Sequence, residues 1–474
     1  MTIELIGFIA LGFGLFSIFC EPAFIVYVFL CSTLLGSAAA IILDSLGGTN
    51  ISPAHLLLGF LTFKLIGSGN YAKNSAQGLT FGRAGFWLLL TLIYALISAY
   101  VMPRLFQGQT STFPLRTVTG SDNTAASFAL APAMSNLTQS IYFIGDFVCF
   151  IVLYGYAGTH DGRRVLGSAA LVCTVLNLIF AMLDLVTFFT NTTELLSFIR
   201  NANYSLINDD SIAGFKRIVG SFIEASSFGS ATLGYFAFNS KLWLLGVRPA
   251  LTLPLALLSL CALVFSTSTT AYVGLALLLA YLYFEVLASA VFRKITSQGF
   301  LFMIGGPIIA IVAVILILLN DAAAAYFSSL LDTLLFNKLS TSSGIERSLW
   351  NSQGIQNFYD TFGFGVGNGS MRASSFVIGV LASLGAIGTL IFSLFFVRLL
   401  FSDKRGGESD PLNSAYRQAA KSTCIAWLIT ASTSGGLIDL GLPFFVFAAM
   451  ACSQLSSLER PRNRAVSVLT ARAA

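Results

Sequence analysis

Charge is what this sequence has least of. Only 10% of its 474 residues are Asp, Glu, Lys or Arg, against about 25% in soluble domains, which excludes an ordinary water-solvated surface. Histidine is rarer still: His55 and His160 stand alone, so no histidine-based metal centre is expected. The seven cysteines fall in apolar runs without CxxC spacing, which excludes a disulfide framework and a thiolate metal site. No GxxxxGK[ST] loop occurs, and the glycine run GFGVGNG lacks βαβ surroundings, so no nucleotide site is expected. Lys and Arg are scattered between apolar segments, which excludes a nucleic-acid face. The N-terminus, MTIELIGFIALGFGLFSIFCEP, has no basic leader and no small-residue cleavage site. It reads as a retained first membrane segment.

What is present is hydrophobic length. The chain is 56% hydrophobic and holds 43 phenylalanines, in repeated runs near the roughly 20 residues that cross a bilayer. Apolar segments lie near 3–20, 22–42, 52–68, 85–102, 138–157, 165–190, 222–239, 249–266, 269–290, 298–319, 374–400, 420–437 and 440–456. The expected fold is all-α: a polytopic transmembrane bundle of about 12–14 helices, forming a single membrane domain over 1–474, with the lipid bilayer as its surroundings. The segment 52–68 carries His55 and Lys64 and also fits a re-entrant hairpin.

Positive charge concentrates in the mostly short loops 69–84, 158–164, 240–248, 291–297 and 401–419 and in the tail 457–474. The positive-inside rule makes these cytoplasmic. The longer loops 103–137, 191–221 and 320–373 hold fewer cations and face the other side, 320–373 as a large extracytoplasmic loop. Lys216, Arg217, Arg347 and Arg372 therefore sit where positive charge is scarce, which points to a task for them there.

Three stretches carry chemistry. In KRIVGSFIEASSFG, a helix running from its start would place Arg217 and Glu224 on one face, about 10 Å apart along the axis. That spacing suits two groups flanking a ligand. A membrane carboxylate needs a partner or a wet cavity, so Glu224 either faces such a cavity or pairs with a cation of a neighbouring helix. The second stretch is Ser343-Gly344-Ile345-Glu346-Arg347 followed by TFGFGVGNGSMRASS. Gly363, Gly365, Gly367 and Gly369, with Asn368 among them, let backbone N–H groups approach an anion, and Arg372 follows at a helix start that favours negative charge. The alternative is a glycine-rich turn with no ligand. The third is STSTTAYVG from Ser266, whose hydroxyls suit either a sugar or the capping of helix ends. Asp146, Asp184, Glu285 and Asp439 are further acids at membrane depth, without regular spacing; His160 reads as a loop residue without a role.

In that order, these stretches resemble the bacterial O-antigen polymerase and O-antigen ligase superfamily. Arg217-x-x-Gly220-x-Phe222-x-Glu224-x-x-x-Phe228 resembles its R-x-x-G-x-F-x-E/P element. FSTSTTAYVG resembles its hydroxyl run. Ser343, Gly344 and Arg347 match S-G-x-x-R, while Phe364, Gly365, Gly367 and Gly369 match F-G-x-G-x-G. Leu381, Gly385 and Gly388 match the L-x-x-x-G-x-x-G of the next helix. The resemblance covers about residues 210–400.

The resemblance implies a multi-pass protein of the bacterial inner membrane that joins undecaprenyl-pyrophosphate-linked oligosaccharide repeat units into O-antigen or exopolysaccharide on the periplasmic face. It implies no cofactor and no metal, and a chain-length regulator as protein partner. Glu224, Arg217 and Arg347 would be catalytic; Arg372, Lys216, Gly365, Gly367, Asn368, Gly369 and Asp360 would bind substrate, with Asp360 a second choice of base. Two departures matter. Ligases of the superfamily carry a histidine after the glycine turn, where this chain reads MRASSF, which favours a polymerase over a ligase. The family's arginine in the hydroxyl run is replaced by Ser268-Thr269-Thr270. A lipid-linked-oligosaccharide flippase or other transporter is the alternative of a different class; it should show two related halves, and none are evident.

Overall fold

The computed structural model describes residues 1–43, 49–115, 126–202, 211–212, 215–292, 295–321, 324–325, 328, 341–401 and 410–455. Arg116, Arg293, Lys294, Lys338, Lys404, Arg405, the basic residues of the tail and the Ser343 side chain lie outside them, as does part of the 320–373 loop. Every apolar segment read from the sequence forms a helix. In order they are α1 (Leu5–Ser17), α2 (Pro22–Ser32), α3 (Pro53–Ile66), α4 (Gly69–Gly78), α5 (Ala84–Leu105), α6 (Met134–Ala157), α7 (His160–Phe189), α8 (Ala225–Leu244), α9 (Pro249–Phe265), α10 (Thr269–Phe292), α11 (Ser297–Leu318), α12 (Ser342–Asp360), α13 (Phe376–Leu400), α14 (Pro411–Ser434) and α15 (Leu442–Cys452). The polar helices α4 and α12 were not expected, because neither carries an apolar run.

Six helices are long and apolar enough to cross a membrane: α5, α6, α7, α10, α11 and α13. α1, α2, α3, α9 and α15 are apolar but shorter. The chain is thus an all-α membrane-type protein with fewer full-length apolar spans than the sequence suggested. The shortfall has two physical causes. Apolar chain is partly spent on turns and strands: after α2 the chain turns and continues as β2 (Ile41–Leu43), antiparallel to β1 (Thr2–Ile3) and β3 (Thr49–Ile51). In addition, α8 and α14 turn polar groups toward each other. Trp427 Nε1 donates to the Ser230 carbonyl at 3.0 Å, Thr423 Oγ1 to the Gly234 carbonyl at 3.2 Å, and the Ser230 and Thr430 hydroxyls lie 2.6 Å apart. Gly234 is required there, since a Cβ would stand 2.4 Å from the Trp427 ring.

The core is aromatic. Phe143 and Phe150 of α6, Tyr235 and Phe238 of α8, Phe392 and Phe395 of α13 and Phe445 of α15 are all fully buried. Their edge-to-face contacts, such as Phe143–Phe392 at 5.9 Å and Phe150–Phe395 at 5.6 Å, knit four helices together. At the periphery, α11 buries only Gly299.

The loops gather in two groups, one at each end of the bundle. At one end Arg164 meets Asp410 at 2.6 Å and Arg163 bonds Ser453. At the other, Ser37 bonds Ser221, Thr110 bonds Asp360, Ser135 bonds the Gly369 carbonyl, and the Ala373 amide donates to Gly436. All three chemistry-bearing stretches lie at this second end.

Candidate functional site

The chain leading to Glu224 is a strap, not a helix. After the short hairpin of β4 (Ser211–Ile212) and β5 (Phe215–Lys216), residues 217–224 are irregular, and α8 begins at Ala225. The expected helical face shared by Arg217 and Glu224 therefore does not form. The reason is Asp184 of α7, a buried carboxylate that captures the strap. Its Oδ2 accepts the Val219 and Gly220 amides at 2.8 and 3.2 Å, and its Oδ1 accepts from Arg200 Nη2 at 2.7 Å. Arg200 Nε also donates to the Gly220 carbonyl at 3.2 Å. Gly220 sits at φ +60°, a left-handed turn that an α-helix cannot contain.

Lys216 belongs to this anchor. Its Nζ lies 3.9 Å from Asp184 Oδ1 and 5.1 Å from the centre of the Phe188 ring, and the side chain is buried. The expected substrate-binding cation is turned into the fold. Ser37 and Ser221 complete the fastening: Ser37 Oγ donates to the Ile199 and Ser221 carbonyls, and Ser221 Oγ to the Leu34 carbonyl.

Glu224 itself is the N-cap residue of α8, but its side chain caps nothing. It accepts the Ser226 hydroxyl and lines a cavity of about 300 Å³ with Ser227, Ser230, Tyr235, Trp427 and Asp439. Of the two readings left open for Glu224, the cavity-facing one is what the fold displays. Arg217 is half-buried on the strap and lines neither this cavity nor the next.

A second cavity, of about 360 Å³, brings the other two stretches together. Arg347 of α12 faces Thr269 and Thr270 at the start of α10, Ser374 and Ser375 before α13, and Ser432 and Thr433 at the end of α14. The hydroxyl run thus contributes to a wall, while Ser266 caps its own helix by donating to Leu263. The contribution of α14 was missed in the sequence. Its signal was available, since ASTSGG repeats the hydroxyl character of FSTSTT.

Arg372 lines neither cavity. Its amide donates to the Phe113 carbonyl at 2.9 Å, and its guanidinium stacks over Trp350 at 4.0 Å from the ring centre. The residue keeps an exposed edge, yet this packing desolvates the guanidinium and lowers its pKa from the ordinary value. Glu224 and Glu346 act to raise it and Arg347 to lower it. Arg372 therefore feels charges from the strap and from α12 at once.

The glycine turn is filled by protein. The amides of Gly365, Gly367 and Asn368 donate to Thr361 Oγ1 (3.0 Å), the Ser383 carbonyl (3.0 Å) and Ser98 Oγ (3.4 Å), and Val366 donates to Ala382. The expected anion nest is occupied by the protein's own acceptors. The glycines serve close approach instead. Each has φ near +80 to +92°, and a Cβ at Gly365, Gly367 or Gly369 would stand 2.5–2.6 Å from backbone atoms of α13, α5 or α6. Gly385, itself at φ +65°, kinks α13 to receive the turn. Asn368 is buried, its carbonyl accepting from Asn136 Nδ2 at 2.7 Å. Asp360 accepts from Thr110 Oγ1 and Gln356 Nε2, both at 2.6 Å, and lines neither cavity.

The chain matches no protein-family model, no curated protein and no solved structure. Its chemistry has to be argued from its own residues. Glu224 lines the first cavity, Arg347 and a set of hydroxyls line the second, and Arg372 lines neither but lies within electrostatic reach of both Glu224 and Arg347. Among the described residues no cluster of His, Cys, Asp and Glu fit to hold a metal ion occurs.

Proposed function

We propose that this chain is a membrane glycosyltransferase that polymerises undecaprenyl-pyrophosphate-linked oligosaccharide repeat units into O-antigen or exopolysaccharide on the periplasmic face of the bacterial inner membrane. One observation carries the reading: Arg372 lies within electrostatic reach of Glu224 and Arg347, which come from separate segments and each line a cavity at one end of an apolar bundle. A lipid-linked donor brings its own leaving group, so the protein need only orient two sugars, accept a proton and stabilise charge growing on pyrophosphate.

In this reading the acceptor hydroxyl oxygen attacks the anomeric carbon of the donor. The bond to pyrophosphate breaks with its electron pair leaving on the phosphate oxygen, which Arg347 and Arg372 stabilise. The hydroxyl proton passes to Glu224, the carboxylate that faces a cavity without being consumed in a cap or an ion pair. Hydroxyls from α10, α13 and α14 offer the hydrogen bonds a sugar takes. Lys216 acts one step removed, by fixing the strap on Asp184.

The test is complementation of a strain lacking the gene, with glycan length read on gels and membrane abundance checked. The expected result is single repeat units in the deletion strain and long chains restored by wild type but not by Glu224→Gln or Arg347→Ala. Long chains that persist without the gene but stay unattached to their final acceptor would assign it as an O-antigen ligase. Repeat units accumulating on the cytoplasmic face would make it a flippase.

A further inference from the structure

Two thiols meet beside the Glu224 cavity, and the scheme above uses neither. Cys31 lies in the last turn of α2 and Cys173 in the middle of α7, 142 residues on, with their sulfurs 3.9 Å apart. The pair leaves no trace in the cysteine spacing, because only the packing of α2 on α7 brings the two together. Cys173 is fully buried and Cys31 half-buried. Among the described residues no other two thiols lie in contact; Cys149, for one, points at the Leu442 carbonyl, 3.8 Å away.

The two helices that carry these thiols are the two that fasten the strap. The Cys31 carbonyl accepts the Leu34 amide at 3.2 Å, and the Leu34 carbonyl in turn accepts from Ser221 Oγ at 2.7 Å. Thr33 and Leu34 also line the Glu224 cavity. On the other side, α7 holds the strap through Asp184, about three turns beyond Cys173. Near Cys173, α7 is clamped to α8: Asn239 Nδ2 donates to Thr174 Oγ1 and Asn177 Nδ2 to Thr232 Oγ1, both at 2.9 Å. The end of α2 is the lighter partner, an 11-residue helix that gives way to turns after Ser32. A disulfide has an S–S distance of about 2.05 Å, so closing the pair draws the sulfurs together by about 2 Å. The last turn of α2 is what moves, and it carries Thr33 and Leu34 with it.

We propose that Cys31 and Cys173 are a redox latch on the Glu224 cavity: as thiols they leave the end of α2 free to shift, and as a disulfide they tie it to α7 and displace one wall of the cavity. The oxidant is a low-molecular-weight disulfide, RSSR. The half-buried Cys31 gives up its proton and attacks one sulfur, and RS⁻ departs with the electron pair of the broken S–S bond and takes a proton. Cys173, losing its proton in turn, attacks the Cys31 sulfur of the mixed disulfide and expels the second RS⁻, which is protonated. Two protein thiols are oxidised and one small disulfide is reduced to two thiols; a small thiol runs the same steps backward. The latch itself is independent of the polymerase reading. Its effect on chain extension does rest on that reading.

The experiment uses the full chain in lipid nanodiscs, with dithiodipyridine as oxidant and dithiothreitol as reductant. Peptide mass spectrometry reads which cysteines are joined, limited trypsin digestion reads the strap through cleavage after Arg217, and membranes treated in the same way report chain extension. Wild type is expected to yield a linked peptide containing Cys31 and Cys173, with slower cleavage after Arg217 and slower chain extension, all reversed by dithiothreitol. Cys31→Ser and Cys173→Ser should each lose the link, and Cys31→Ser should also become indifferent to the oxidant in both other readouts. Cys261→Ser, which alters an exposed thiol elsewhere, should respond as wild type does. Each substitution exchanges one atom, so these variants are expected to fold, as checked by gel filtration. Folded wild type that forms no link, or that keeps the reagent on Cys31 as a stable mixed disulfide, overturns the pair. A link that leaves cleavage after Arg217 unchanged, or leaves an active protein extending chains at its usual rate, overturns the latch. A link that slows cleavage in a protein that polymerises nothing in any form leaves the latch standing and removes the polymerase reading instead.

Discussion

Asp184 and Arg200 meet at 2.7 Å in a buried ion pair that fastens the strap leading to Glu224. Both side chains are at most 5% exposed, and the carboxylate also holds two strap amides and sits beside Lys216. The catalytic carboxylate of the proposal is thus placed by a charge in another helix.

Removing Asp184 should therefore unfold the strap and leave the buried Arg200 without its counter-charge. Breaking such a pair from one side costs about 3–5 kcal/mol. Asp184→Ala is expected to lower the thermal midpoint of the solubilised protein clearly, and to expose the 217–224 strap to protease. An unchanged midpoint and protease pattern would show that the pair does not anchor the strap.

Glu224 presents the opposite case. Among the described residues its side chain hydrogen-bonds only Ser226, and it caps no helix, so Glu224→Gln should leave abundance and melting unaltered. Loss of a general base costs about 100-fold or more in rate. Chain extension from lipid-linked repeat units, timed in membranes, should fall by that order. A variant that polymerises at the wild-type rate would remove Glu224 as the base.

Gly367 distinguishes packing from anion binding. At φ +92°, with the Ser98 carbonyl 2.6 Å from where a Cβ would stand, an alanine must adopt a left-handed backbone, at about 1–2 kcal/mol, and also displace α5. Gly367→Ala is expected to reduce the yield of folded protein. Normal yield and melting combined with weakened substrate use would return the turn to a ligand-binding role.

The apolar segments were legible because membrane helices declare themselves by length and composition. Each became a helix, with boundaries such as Thr269–Phe292 close to the sequence reading. What was not legible depended on contacts distant in the chain. Nothing local in RIVGSFIE indicates that Asp184, far upstream, will take the Val219 and Gly220 amides, and so a helix running from Arg217 was open to consideration where a strap forms. The same holds for the glycine turn: its φ values follow from its composition, but the acceptors that fill it come from α13 and α5. Polar helices such as α12 lack the apolar run that would reveal them, although this one carries Arg347. Asp439 was visible as an acid but could not be ranked, since only the fold brings it to the Glu224 cavity.

Trp350 offers a test of the site that spares its charges. The residue is 7% exposed, and its ring carries the Arg372 guanidinium at 4.0 Å. A cation–π contact of this kind is worth about 0.5–2 kcal/mol, and here its main effect is to aim a guanidinium already influenced by Glu224, Glu346 and Arg347. Trp350→Leu keeps an apolar side chain in the core of α12 and leaves every charge in place, but removes the surface on which Arg372 lies flat. If Arg372 stabilises the departing pyrophosphate, transition-state stabilisation should fall while ground-state binding changes little. The expected result is a lower maximal rate of repeat-unit transfer at nearly unchanged KM, with Trp350→Phe restoring part of the rate. A Trp350→Leu protein that is folded and transfers at the wild-type rate would show that the orientation of Arg372 does not matter to the chemistry, and would shift the burden of charge stabilisation to Arg347 alone.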